Sequence, residues 1–137
     1  MENKFRSGCP LASTLDIVGD KWSLLIVRDM LLQGKKNFKE FSASPEGIAP
    51  GILSSRLKWL EENDLISKQK LPDNQKENIY LLTEKGIGLA PIITEIVLWS
   101  GENLNPQNAI SGMIKDKSTF TEGVQNNYRQ LVQEILS

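Results

Sequence analysis

Histidine is absent from the sequence and cysteine occurs once, at Cys9. Without histidine and a second cysteine there can be no Cys/His zinc site, no disulfide within the chain and no His-based triad or acid–base pair. Carboxylate and lysine chemistry stay open, but no glycine-rich phosphate loop accompanies them, so no enzyme and no cofactor is implied. Long apolar runs are missing too. None approaches the roughly eighteen residues that cross a bilayer, and Met1, Glu2, Asn3, Lys4, Phe5 and Arg6 lack the apolar stretch of a signal peptide. A cytoplasmic protein with no membrane partner is expected. Charge of one sign is also missing, because 16 Lys and Arg face 17 Asp and Glu for a net −1. The whole-domain basic excess of many nucleic-acid binders is therefore absent.

What is present is local. Residues 34–58 hold Lys35, Lys36, Lys39, Arg56 and Lys58 against only Glu40 and Glu46. That makes a basic segment in a neutral chain. Upstream, Leu11, Leu15 and Val18, then Trp22, Leu25, Ile26 and Met30, recur at helical spacing with a break at Gly19-Asp20, which predicts two helices. Gly34 ends the second. Residues 37–41 predict a short turn of helix in which Phe38 and Phe41 can face one side. Ser44-Pro45-Glu46-Gly47 is a turn, and Pro50 suits the start of a helix over 50–63 with Leu53, Leu57 and Leu60 on one face. Two short helices around a turn have helix-turn-helix dimensions.

Residues 65–71 and 78–82 are β-prone, with the polar stretch 72–77 between them, and together predict a hairpin with a long charged tip. Thr83 can cap a helix over 83–101, bent or broken near Pro91 and carrying Leu89, Ile92, Ile93, Ile96, Val97 and Trp99. Its apolar face is wider than one small core needs. A polar break at 103–108 with Pro106 precedes a weak helical stretch, then a stripe of Val124, Tyr128, Leu131 and Ile135. Trp22, Trp59 and Trp99 lie within apolar helical periodicity and suit packing better than base stacking. The expected architecture is mainly α with a small β-hairpin. It is a winged helix-turn-helix over 1–104 that includes a dimerisation helix, with a carboxy-terminal helical extension over 105–137.

Four sets of residues sharpen this reading. Cys9-Pro10, then Leu15-Asp16-Ile17-Val18-Gly19-Asp20-Lys21-Trp22, then Ile48-Ala49-Pro50 leading to Leu53-Ser54-Ser55-Arg56-Leu57, and Tyr80-Leu81-Leu82-Thr83-Glu84-Lys85-Gly86 resemble, in order and spacing, the HxlR family of bacterial regulators. The resemblance runs from about Cys9 to Gly101. It implies a MarR-related dimer that binds double-stranded operator DNA as an inverted repeat. It also implies a possible oxidant or electrophile sensor, since some members sense through a cysteine near the amino terminus. Two positions depart from the family pattern. Ala49 stands where serine is common and cannot accept a cap hydrogen bond, which costs about 1 kcal/mol. Gly51 stands where a long basic side chain is common.

On the 50–63 helix, steps of about 100° put Gly51, Ser54, Ser55 and Lys58 opposite the leucines, with Arg56 flanking the stripe. Together with Pro50 at its start, these are the candidate DNA contacts. Serine can bond base edges or phosphate, arginine can grip guanine or phosphate, and Lys58 suits phosphate. Lys35, Lys36 and Lys39 are candidates for the DNA backbone. Lys76, in the expected wing loop, matches a place where the resembling proteins carry a minor-groove arginine, and is equally a surface lysine beside Glu77. Leu11, Leu15, Val18, Ile92, Ile96 and Trp99 are the candidate dimer interface, part of which the carboxy-terminal stripe could cover instead. Cys9 is either a redox-sensing thiol at a helix start or an inert small residue. No small-molecule effector is identifiable. A winged helix used for protein–protein contact is the competing function.

Overall fold

The computed structural model describes residues 5–105 and 109–137; the expectations for Met1 to Lys4 and for a break at Pro106 lie outside them. Two helices open the chain, α1 (Pro10–Val18) and α2 (Ser23–Gln33), followed by α3 (Phe38–Ser42) and α4 (Pro50–Glu62). A hairpin of β1 (Ile66–Leu71) and β2 (Asn74–Leu82) comes next, then α5 (Glu84–Ile87), α6 (Ala90–Asn103), α7 (Ala109–Met113) and α8 (Lys117–Leu136). Mainly α with one antiparallel hairpin, this is the winged helix-turn-helix order. No described helix is long and apolar enough to cross a membrane.

Local chemistry explains most boundaries. Asp20 accepts from the backbone N–H groups of Trp22 and Ser23, both at 3.0 Å, and so starts α2. Gly34 ends it with φ 65°, a left-handed conformation that costs glycine little. A Cβ there would also lie 2.8 Å from the Leu131 side chain of α8. Ala49 caps α4 with no side-chain bond, as its methyl group dictates. The 83–101 helix is in fact two. Thr83 accepts from Gly86 N–H at 3.1 Å to start α5, and after Gly88 the chain restarts as α6 with Pro91 in its first turn, where a missing N–H costs nothing.

The hairpin differs from its expected form. Pairing runs Ile66↔Leu82, Ser67↔Leu81, Lys68↔Tyr80 and Gln69↔Ile79, and after an irregularity ends at Leu71↔Asn74, so only Pro72 and Asp73 form the tip. Lys76 therefore lies on β2 and not in a loop. A two-stranded ribbon in solvent needs no apolar face at its far end. Side chains stiffen it instead, with Gln75 Nε2 donating to Leu71 O at 2.6 Å and Asn74 Nδ2 to Glu77 Oε2 at 2.9 Å. Lys36 O accepts from Tyr80 N–H at 2.7 Å and ties the loop before α3 to the base of the ribbon.

One core joins the elements. Val27 and Met30 of α2, Phe41 of α3, Leu53, Leu57 and Leu60 of α4, and Ile66 and Leu82 of the hairpin are buried together with Tyr128 of α8. Phe38 does not follow Phe41 inward, since a single turn of helix presents one buried position. Val18, expected at a subunit interface, is only 5% exposed and belongs to the core of its own chain. Helix α8 closes the layer. Its Tyr128 hydroxyl accepts from Leu82 N–H at 2.8 Å, Gln125 Nε2 donates to Ile87 O at 3.1 Å, and Thr121 pairs with Thr94 of α6 at 2.9 Å.

Because α8 meets α6 on the Ala90, Ile93 and Thr94 side, the opposite side is left open, with Ile96 50% and Trp99 57% exposed. Ile92 belongs to the same outward face. Burial raises the Tyr128 phenol above its usual range, an effect its hydrogen bond to Leu82 opposes. Tyr128→Phe would keep the ring and strand the Leu82 N–H. It should destabilise the fold by about 1–3 kcal/mol, read as a lower urea midpoint with an unchanged slope at fixed protein concentration. An unchanged midpoint would mean that α8 does not hold the hairpin base.

Candidate nucleic-acid interface

The helix-turn-helix is built on a buried charge. Asp29, in the middle of α2, is 2% exposed. Arg28 Nε and Nη2 donate to its Oδ1 at 3.0 and 2.8 Å, Lys35 Nζ approaches its Oδ2 at 3.4 Å, and the Ser44 hydroxyl donates to it. Arg28 then reaches across to Glu46 with two bonds of 2.9 Å. Ser44 and Glu46 are both in the turn between α3 and α4, so this cluster fastens that turn to α2. Gly47, at φ 70°, lets the chain leave it. The Arg28 guanidinium holds the Glu46 carboxyl at about 2, and Glu46 in turn raises Arg28 above its usual range.

Helix α3 is set by a capping box. Asn37 Oδ1 accepts from Glu40 N–H at 2.8 Å, and Glu40 Oε1 accepts from the N–H groups of Asn37 and Lys36 at 3.3 and 2.9 Å. Both acids of the basic segment are thereby occupied inside the chain. Among its bases, Lys35 is turned inward, only 14% exposed and 3.1 Å from Ser44 Oγ as well as facing Asp29. Its charge is matched there and not presented to solvent. Lys39 and Lys58 are exposed and Lys36 half-buried, while Lys76 is exposed on the wing.

Helix α4 shows Pro50, Gly51, Ser54, Ser55 and Lys58 to solvent as the periodicity predicts. A Cβ at Gly51 would meet nothing within 4 Å, so the chain itself imposes no need for glycine there. Arg56 lies along the helix flank, 3.6 Å from Asp20 and with its guanidinium 5.6 Å from the centre of the Trp59 ring. Burial pushes the Asp20 carboxyl up, but the Ser23 hydroxyl, two backbone N–H groups and Arg56 together bring it below its usual range. Trp59 Nε1 donates to Ile17 O at 2.8 Å, which makes it a structural tryptophan. Between α3, α4 and β2 lies an open cleft of about 430 Å³ lined by Asn37, Phe38, Lys39, Ser54, Glu77, Asn78 and Tyr80. The site thus presents short polar side chains along one helix, flanked by lysines and a protruding ribbon. No described cluster of His, Cys, Asp or Glu could hold a metal.

Elsewhere, Leu11 and Leu15 of α1 are exposed, and Cys9 is exposed at the cap of that helix with no side-chain cap bond. The Asp29 cluster was not foreseen from sequence. Its signal was an aspartate three and four residues after Ile26 and Leu25, on the apolar side of α2. Ile52 is exposed in the first turn of α4.

Known proteins resemble this arrangement. The family described as HxlR-like helix-turn-helix matches residues 17–108. The HTH-type transcriptional regulator YodB of Bacillus subtilis is 34% identical over 103 residues, 74% of this chain and 91% of YodB. The solved reduced form of YodB superimposes with TM-score 0.61 at 34% identity, covering 74% of this chain and all of that one. YodB has also been solved diamide-treated and quinone-bound. The redox regulator HypR in its reduced form gives TM-score 0.62 at 30% identity, covering 69% of this chain and 93% of HypR.

The Arg28–Glu46 pair carries a pH dependence. In the unfolded chain the Glu46 carboxyl returns to about 4.5, against about 2 when folded. Its contribution is therefore complete above about pH 4.5 and lost as the pH falls towards 2. Glu46→Gln should lower the urea midpoint at neutral pH and flatten its fall between pH 5 and 2.5. Parallel curves for the two proteins would show that the pair contributes nothing to folding.

Proposed function

The chain belongs to the HxlR-like helix-turn-helix family and is a transcription regulator, and from this we propose that it binds an inverted-repeat operator as a homodimer, with α4 of each copy in the major groove. The observation that carries the proposal is the exposed face of α4. Gly51, Ser54 and Ser55 are short enough for the backbone to approach a groove floor, and Lys58 is placed for phosphate. Lys36 and Lys39 would hold the backbone beside α3, and Lys76 would do so from the wing. The outward face of α6 (Ile92, Ile96, Trp99) and Leu11 and Leu15 of α1 form the proposed subunit interface, since so much apolar surface is costly to leave in water. A two-fold dimer gives two copies of α4 about 34–36 Å apart, one helical turn of DNA. Use of the same surface for protein contact is the second reading, favoured by the net charge of −1.

Gel shift against the DNA upstream of its own gene, at several salt concentrations, separates the two readings. A DNA reader gives a steep log–log salt slope, and Lys58→Ala should flatten it by about one unit while weakening all sequences alike. Light scattering on the same sample should return twice the chain mass. A monomer, or binding indifferent to salt, would sink the operator reading.

Cys9 is the proposed sensing residue, by similarity to YodB, which has been solved in quinone-bound and diamide-treated forms. Its thiol would add to a quinone ring carbon, with the thiol proton and the hydrogen displaced from that carbon ending on the two quinone oxygens, which leaves a hydroquinone thioether. Diamide, reduced as two thiols are oxidised, would link Cys9 to Cys9 of the partner subunit or to a small thiol. Treated wild type should change its operator affinity while treated Cys9→Ser does not. Equal responses would leave Cys9 without a sensing role.

A further inference from the structure

Ile52 stands in the first turn of α4, 43% exposed, next to Leu53, which is fully buried. Steps of about 100° place it between Gly51 and the Arg56 flank, on the margin of the face that the leucines leave open. Its neighbours towards that face are short, Gly51 beside it and Ser55 one turn on, while Arg56 flanks its other side. A branched aliphatic group therefore rises above a floor of small side chains at the end of the helix from which base edges are contacted. Isoleucine in a helix holds essentially one χ1 rotamer, so little freedom is lost when it is placed against a surface.

In the major groove the apolar feature on the base edges is the thymine C5-methyl, and an aliphatic side chain gains from it by contact and exclusion of water. Cytosine offers an N4 amino donor there and no methyl. We propose that Ile52 is a specificity-determining residue, packing its side chain on a thymine methyl in each half-site. This rests on α4 being the major-groove reader. It assigns base choice at that position to an apolar contact, while the serines and lysines hold register and backbone.

The test uses the full-length chain and a duplex operator selected from a random pool. Each symmetric pair of thymines is replaced in turn by deoxyuridine, which removes the methyl and keeps pairing and polar edges. One pair should be sensitive, losing about threefold to fourfold per half-site, the affinity carried by one buried methyl group. For Ile52→Ala the unmodified operator should bind weaker by a similar factor, and uracil at that pair should cost nothing more. The exposed position keeps the variant folded, which an unchanged urea midpoint confirms, and Ile52→Val should keep most of the sensitivity. Specific binding with no sensitive thymine pair, or an equal uracil penalty in wild type and Ile52→Ala, would overturn the assignment and leave the operator reading intact. Selection of no duplex at all would overturn both.

Discussion

A carboxylate at the centre of the fold sets the orientation of α4. Asp29 is buried in α2, where an unpaired charge could not persist, and it is satisfied by Arg28, Lys35 and Ser44 at once. Removing one member of such a buried cluster leaves the others uncompensated, typically at a cost of about 3–5 kcal/mol. Replacing the whole cluster by apolar groups could cost far less. Its particular effect is directional, since hydrogen bonds specify where Ser44 and Glu46 sit and a greasy contact would not. With that turn fastened, the buried leucines of α4 admit one packing, and the exposed side chains of α4 point where they do as a consequence.

The second constraint is the division of labour on α6. One side packs under α8 through Ala90, Ile93 and Thr94, while the opposite side carries Ile92, Ile96 and Trp99 into solvent. A helix apolar all round is normally buried all round. Here α8 supplies half of that burial within the chain, and it also reaches the ribbon through Tyr128. The carboxy-terminal segment beyond the family match is thus part of the same core. The wing base, the helix-turn-helix and the outward face of α6 rest on shared supports.

Features governed by short-range periodicity were legible in the sequence. Leu53, Leu57 and Leu60 are buried at the predicted spacing, Gly34 ends α2, and the turn at 44–47 lies where Pro45 and Gly47 place it. What escaped depends on partners distant in the chain. Lys35 counts as a surface base until Asp29 and Ser44 surround it, and Arg28 meets Glu46 only through an 18-residue excursion. Leu82 N–H and the Tyr128 hydroxyl are 46 residues apart. The ribbon departs from its expected form for another reason. Pro, Asp and Asn are turn formers, and their run at 72–74 masked the start of a strand whose first half, 74–78, is polar because it stands out in solvent. Val18 sits on a helix whose Leu11 and Leu15 are exposed while Ile17 packs against the core beside it, and periodicity does not say which end of a helix enters a core.

That uneven burial of α1 leaves its two ends held differently. Its carboxy-terminal end is gripped by α4, for Trp59 of α4 donates to Ile17 O and Arg56 of α4 faces Asp20 just beyond α1. Its amino-terminal end carries exposed Cys9 and Leu11, and Arg6 ahead of it pairs with Asp16 of the same helix. The holding residues lie on the same α4 that presents Ser54, Ser55 and Lys58. Two of their contacts are a neutral hydrogen bond and an ion pair of 3.6 Å. The ion pair is the adjustable one, because Arg56 also has the Trp59 ring to lie against and can leave Asp20 without becoming stranded.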